Sequence, residues 1–212
     1  MLEHLREYGA SRAGEASGAG HGIRETSRLS VVSRGGSSMR ALVVYETMLG
    51  HTRDIAWAVA KGLEPALSTE VVEVGDAPSE PGPDVDLLIV GAPTLLFGLS
   101  TPRTRAAAAS RAGHPFAVAD RGVREWLEAM PHAAGRRDAL TFDTRLRVQG
   151  LPGSAAKGAT KRLGKRGYRM LWPSRSFVVT HPSGNLDDRE LERAQLWGRW
   201  IREGLDVRHA RL

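Results

Sequence analysis

Residues 45–56 read YETMLGHTRDIA, in which Thr47 and Thr52 bracket Met48, Leu49, Gly50 and His51. An apolar run precedes this segment and a helical period begins directly after it. A helix N-terminus presents unpaired amide N–H groups and the positive end of the helix dipole, so the segment suits an anion. The two threonine hydroxyls can add hydrogen bonds to phosphate oxygens, and Gly50 lets the backbone approach closely. The spacing is neither a Walker loop, since no Gly-Lys-Ser/Thr follows, nor a Gly-x-Gly-x-x-Gly turn. Helix capping alone would also account for Thr47 and Thr52, and spacing does not choose between the two roles.

Other reactive constellations are weak or absent. The chain has no Cys, which excludes disulfides, thiolate nucleophiles and cysteine-ligated metal. The seven histidines are scattered, with no metal-ligand spacing. No Gly-x-Ser-x-Gly elbow places a serine nucleophile. From Thr144 to Leu186 there is no acidic residue, while Arg145, Arg147, Lys157, Lys161, Arg162, Lys165, Arg166, Arg169 and Arg175 are basic. Lys157, Lys161 and Lys165 recur at i, i+4 and i+8, so they share a helix face. A solvated face accounts for that row; so would docking of an acidic partner. Only Tyr168 and Trp172 lie nearby, which argues against stacking of single-stranded nucleic acid.

The elements that must position these residues follow from pattern. Of 212 residues, 1–38 are rich in Gly, Ser and Ala without apolar period, and read as a disordered N-terminal extension. Met39 is a candidate translation start, and 39–212 then form one domain. Ala41–Tyr45, Thr69–Val74, Asp86–Val90 and Ala139–Phe142 read as strands, with Tyr168–Trp172 and Phe177–Thr180 as one interrupted fifth strand. Helical periods cover 51–63, 123–130, 154–166 (capped by Ser154) and about 187–204. The segment 75–85 holds three prolines, so the second crossover is short or irregular. Residues 100–120 read as a long loop, a candidate lid or a surface insertion. Alternation of strand and helix implies an α/β fold with a doubly wound, five-stranded parallel sheet. Ligands of such sheets bind beyond the carboxyl ends of the strands, here the loops 46–52, 91–103 and 143–153. The longest apolar stretch is too short to span a bilayer and the N-terminus lacks a secretory pattern, so a cytoplasmic protein is expected.

The run from Val43 to Val59 resembles the flavodoxin phosphate-loop signature: two aliphatics, an aromatic, a hydroxyl residue, a small residue, Thr, Ala and a final aliphatic. The domain is similar to flavodoxin-like proteins in strand count and spacing as well. That resemblance implies strand order 2-1-3-4-5 and bound FMN. It places the phosphate at Thr47, Met48, Leu49, Gly50, His51 and Thr52, and the ring between the second and third loops. The second loop supplies Pro93, Thr94, Leu95, Phe97 and Gly98; the third supplies Phe142, Asp143, Thr144 and Arg145. For these residues an ordinary core or turn role stays open. Two features depart from electron-carrier flavodoxins: the third loop has no aromatic after Phe142, and the net charge is +6 rather than acidic. The pieces FDTR, GSAAK and REWL resemble stand-alone flavodoxin-domain proteins of high-GC bacteria. The resemblance implies electron transfer or a small flavin oxidoreductase, with a redox partner protein or small-molecule substrate. The alternatives are a protoporphyrinogen-oxidase-like flavoenzyme and a flavin-free binding module using the basic 145–175 face.

Overall fold

The computed structural model describes residues 39–111, 121–146, 152–180 and 186–209. The expected tail, 1–38, lies outside the described residues. Strand β1 (Arg40–Tyr45) is followed by helix α1 (His51–Leu63), β2 (Ser68–Glu73) and β3 (Leu87–Pro93). Then come α2 (Pro102–Arg111), α3 (Val123–Ala129), β4 (Arg137–Leu146) and α4 (Ala155–Lys165). Two short strands, β5 (Tyr168–Met170) and β6 (Arg175–Val179), precede the long α5 (Asp188–His209).

All pairings are parallel, in the order β2-β1-β3-β4-β5, with β6 also paired to β4. The fifth strand is interrupted, as its sequence suggests. Arg137–Ala139 of β4 pair with β5, and Phe142–Leu146 of the same strand pair with β6.

Because side chains alternate along a strand, each central strand feeds two cores. Ala41, Val43, Tyr45, Ile89, Leu140 and Phe142 pack against α1 and α5. Leu42, Val44, Leu88, Val90 and Ala139 pack under α3 and α4. Burial on both faces is why these strands read as continuous apolar runs. The crossover between β2 and β3 carries no helix, in keeping with its prolines. Its carbonyls are met by side chains instead: Arg121 donates to Val74 and Ala77, Trp126 Nε1 to Pro78, and Arg137 to Pro81 and Gly82. One expectation is corrected. Much of the long loop 100–120 is helix α2, whose register Arg105 fixes by inserting into the protein interior.

Candidate functional site

The first loop enters α1 through Gly50, whose φ of +90° is left-handed, a conformation glycine adopts without penalty. As N-cap, Gly50 has no side chain to close the helix, and no side-chain cap replaces it. The N-terminal end of α1 therefore keeps its polarity for an anion. Thr47 does not cap the helix; its Oγ1 accepts from Gly50 N at 3.0 Å and shapes the loop. Thr52 is buried, and its hydroxyl meets Thr144 Oγ1 at 2.8 Å. Neither threonine is thus the simple cap that spacing left open.

Arg53 belongs to this loop too. A Cβ on Gly50 would lie 3.2 Å from Arg53 Nη2, so the guanidinium folds back over the glycine while pairing with Asp54 at 3.0 Å. The first loop contains no lysine, and Arg53 is the cation it does have. The signal was available in sequence, one residue beyond Thr52.

At the end of β4, alternation sends successive side chains to opposite faces. Thr144 reaches Thr52 on α1. Asp143 points the other way and is fully buried, its Oδ2 accepting from Thr94 Oγ1 at 3.0 Å, from Ser154 Oγ and from Ala156 N at 3.1 Å. Ser154 caps α4 by accepting from Lys157 N, and Ala155 N donates to Thr94 Oγ1. One carboxylate therefore ties the second loop to the N-terminus of α4, where the helix dipole favours its charge. Its other oxygen, Oδ1, is buried without a hydrogen-bond partner among the described residues.

The second loop turns at Leu96 and Phe97, both left-handed with φ of 42° and 74°. Leu95 and Gly98 exchange backbone hydrogen bonds of 3.0 and 3.2 Å across them. Tight hairpin turns of this hand favour Asn-Gly, and two bulky residues here cost about 1–2 kcal/mol each. The turn holds Leu96 71% and Phe97 52% exposed. Gly153 abuts it so closely that a Cβ there would sit 2.0 Å from the Phe97 carbonyl oxygen. Strain of this kind persists where surroundings enforce it, and it clusters at active sites, ligand clamps and switch segments.

Phe142 does not join this group. Its ring is fully buried, packed on Phe177 and Trp197 with centroids 6.0 and 6.2 Å apart, and against Gly91. Its side chain is core, because alternation turns it toward α1 and α5. Asp143 likewise serves as an internal clamp rather than a group open to solvent. Pro93 and Arg145 are half-buried at the strand ends, beside the loops.

A buried polar cluster behind the first loop carried no sequence signal strong enough to single it out. Glu46 is 1% exposed; its Oε2 accepts from Val123 N at 2.9 Å, and Oε1 has no partner among the described residues. Arg105, equally buried, donates to Ser100 Oγ at 2.9 Å and to Glu125 Oε2 at 3.0 Å. Glu125 also accepts from Gly122 N at 2.8 Å. Burial raises the Glu46 carboxyl above its ordinary range, against the opposing pull of Ser100, the Val123 amide and Arg105. A Cβ on Gly122 would meet Arg105, Glu46 and Ser100 within 2.9 Å, so a larger residue there would displace the polar cluster. The cluster joins the end of β1 to α2 and α3, and so backs both the first and second loops.

Comparison with known proteins adds to this geometry. A model of the flavodoxin family matches residues 43–125, which span the first loop, the second loop and the start of α3. The fold is flavodoxin-like. Solved structures share its fold at low identity. A flavodoxin from the domain Archaea superposes with TM-score 0.54 at 16% identity, covering 79% of this chain and 99% of that one. Oxidised Flavodoxin 1 from Bacillus cereus gives 0.54 at 17%, covering 75% and 94%. Rubredoxin oxygen:oxidoreductase from Desulfovibrio gigas gives 0.52 at 15%, covering 81% of this chain but 37% of its own. No curated protein matches by sequence. In the flavodoxin-like domain, no helix among the described residues is long and apolar enough to cross a membrane. No cluster of metal-ligating side chains occurs among them either.

Proposed function

We propose that the flavodoxin-like domain binds FMN across its three loops and acts in electron transfer or as a small flavin oxidoreductase. The observation that carries this reading is the open N-terminus of α1, entered through left-handed Gly50 and held against the end of β4 by the Thr52–Thr144 contact. These residues fit a phosphate. The first-turn amides and the helix dipole supply donors and positive potential, Arg53 supplies charge, and Gly50 presents no Cβ to keep the ligand away.

The ring would lie between the second and third loops, against Thr94, Leu95, Phe97 and the backbone around Gly98. When bound, FMN supplies chemistry that amino-acid side chains lack, accepting and donating electrons singly or as hydride. The chain supplies position and electrostatics. Asp143 fixes the second loop through Thr94, and the strained turn holds Phe97 partly exposed rather than collapsed into the core. Because Phe142 is core, its contact with the ring region is limited to backbone. The buried Glu46–Arg105 cluster keeps the supports of both loops in register.

The direct test is an equilibrium titration of ligand-free protein with FMN, followed by quenching of flavin fluorescence. Saturable one-to-one quenching, with a yellow protein after gel filtration, is expected. Protein that stays colourless and leaves FMN fluorescence unchanged would overturn the reading.

A further inference from the structure

We propose that the exposed lysine row of α4, together with Leu96 beside its first turn, docks an acidic electron-transfer protein. The proposal rests on the flavin reading for its purpose, since it assigns the partner from which the bound flavin receives an electron or to which it returns one. In that exchange the partner's one-electron centre is oxidised as the flavin is reduced, or the reverse.

The chain divides its cations unevenly between arginine and lysine. It has 30 basic residues, of which 26 are Arg and only Lys61, Lys157, Lys161 and Lys165 are Lys. Many arginines are committed internally. Arg121, Arg124, Arg137, Arg166 and Arg202 donate to backbone carbonyls. Arg162 pairs with Glu128 at 2.9 Å and Arg169 with Asp138 at 2.5 Å. Three of the four lysines instead stand on one stripe of one helix. They are exposed and make no ion pair among the described residues, while Ala155, Ala156, Ala159 and Leu163 turn the other face of α4 into the core.

Lysine suits transient docking. Its compact, strongly hydrated charge on a flexible stem attracts a partner at distance without locking one geometry, as a bidentate guanidinium does. The row also starts in the right place. Ala155 N is bonded to Thr94, and Gly153 packs on the Phe97 backbone, so the first turn of α4 adjoins the second loop. There Leu96 is 71% exposed in a left-handed conformation that costs energy to maintain. An apolar projection beside a row of like charges has the anatomy of a small interface, one desolvated contact with a charged rim. The complementary surface carries carboxylates around an apolar patch. Nucleic acid fits less well, because no aromatic side chain interleaves the row.

The probe is an acidic plant-type [2Fe–2S] ferredoxin, with binding to the full chain read by calorimetry at low salt. This readout does not need bound flavin, so its failure and that of the flavin reading can be told apart by the FMN titration above. Two variants are compared: Lys157→Glu/Lys161→Glu/Lys165→Glu on α4, and Lys61→Glu/Arg199→Glu/Arg208→Glu on α1 and α5 across the sheet. Both bring the formal net charge from +6 to zero, so bulk charge is matched. The α4 variant should lose about tenfold or more in affinity and its salt dependence should flatten. The α1/α5 variant should stay within about threefold of the unmodified chain. Leu96→Ser should weaken binding with the salt slope unchanged. Equal losses in both triple variants, or no binding by the unmodified chain, would overturn the proposal. Tighter binding of a 20-nucleotide single strand than of ferredoxin, lost in the α4 variant, would overturn it as well and assign the face to nucleic acid.

Discussion

Asp143 and Thr144 are neighbours in the chain and serve opposite faces of the sheet, one the N-terminus of α4 and the other the start of α1. The motif FDTR placed both at a ligand loop, yet only the two-residue period of a strand explains why Phe142 is core. That period became legible once β4 was seen to run on to Leu146, beyond the Phe142 where its apolar residues end. Glu46 was hidden for a related reason: a single carboxylate after an apolar strand resembles a strand end, and Arg105, the cation of its cluster, is 59 residues away in a segment read as loop. Burial raises the Glu46 carboxyl, so the fold favours its protonated form. Its contribution to stability is therefore complete below the ordinary value of 4.5 and is lost as pH rises through the raised folded value. Glu46→Gln removes this titration while keeping an acceptor for Val123 N. Urea midpoints of the two proteins should converge in acid, and the variant should be the more stable near neutrality. A difference that does not vary with pH would show that folding leaves the titration of the Glu46 carboxyl as it is in the unfolded chain. The turn at Leu96 and Phe97 makes a second claim at this scale. Leu96→Asn with Phe97→Gly supplies the residues that such a turn favours, and should raise unfolding free energy by about 1–3 kcal/mol while weakening flavin binding. An unchanged or lower denaturation midpoint would mean that the backbone there is unstrained.

Among the elements, α1 shows how far periodicity reaches. Its limits, 51–63, were legible because an apolar stripe begins where the strand pattern stops, and Pro65 follows its end. The strands were legible as apolar runs, and the interrupted fifth strand as two runs around a proline. Helix α2 was not legible. It is rich in Arg, Ala, Ser and Thr, and its placement depends on Arg105 entering a polar cluster that only the tertiary structure assembles. The contact between α1 and α5 was equally invisible. Gly62 and Gly198 face each other so closely that a Cβ on Gly198 would lie 2.3 Å from the Val59 carbonyl oxygen and 2.9 Å from Gly62 Cα. Alanine is the better helix former by about 1 kcal/mol, but overpacking against backbone costs about 1–3 kcal/mol or more. Gly198→Ala should therefore lower the thermal midpoint despite its propensity gain. Gly164→Ala, on α4 with open space around it, should raise the midpoint slightly. Both shifts are measurable by differential scanning calorimetry, and a stabilised Gly198→Ala would show that the two helices can separate at no cost.

At the scale of the whole molecule, the basic balance includes, among the described residues, a set of arginines that hold the fold and a row of lysines on α4 that faces outward. Net charge alone could not make that division; it needed the partners of each guanidinium. The strand order brings three loops from distant parts of the sequence to one end of the sheet, and the account turns on what the first of them holds. FMN carries a phosphate that riboflavin lacks, so the two ligands separate phosphate recognition from ring binding. Thr47 Oγ1 accepts from Gly50 N and Thr52 Oγ1 can accept from Thr144, so each hydroxyl keeps its proton to donate to the phosphate; a hydrogen bond to a charged group contributes about 1.5–3 kcal/mol, and replacing both by Ala should remove about 3–6 kcal/mol. The decisive measurement is a fluorescence titration of the unmodified chain and the Thr47→Ala/Thr52→Ala variant with FMN and with riboflavin, circular dichroism having shown both to be folded. FMN affinity should fall about 10²- to 10⁴-fold in the variant while the weak riboflavin affinity stays the same, as phosphate recognition by this loop requires. Equal FMN affinity in the two folded proteins would contradict it, because the loop 46–52 would then not be where the phosphate binds.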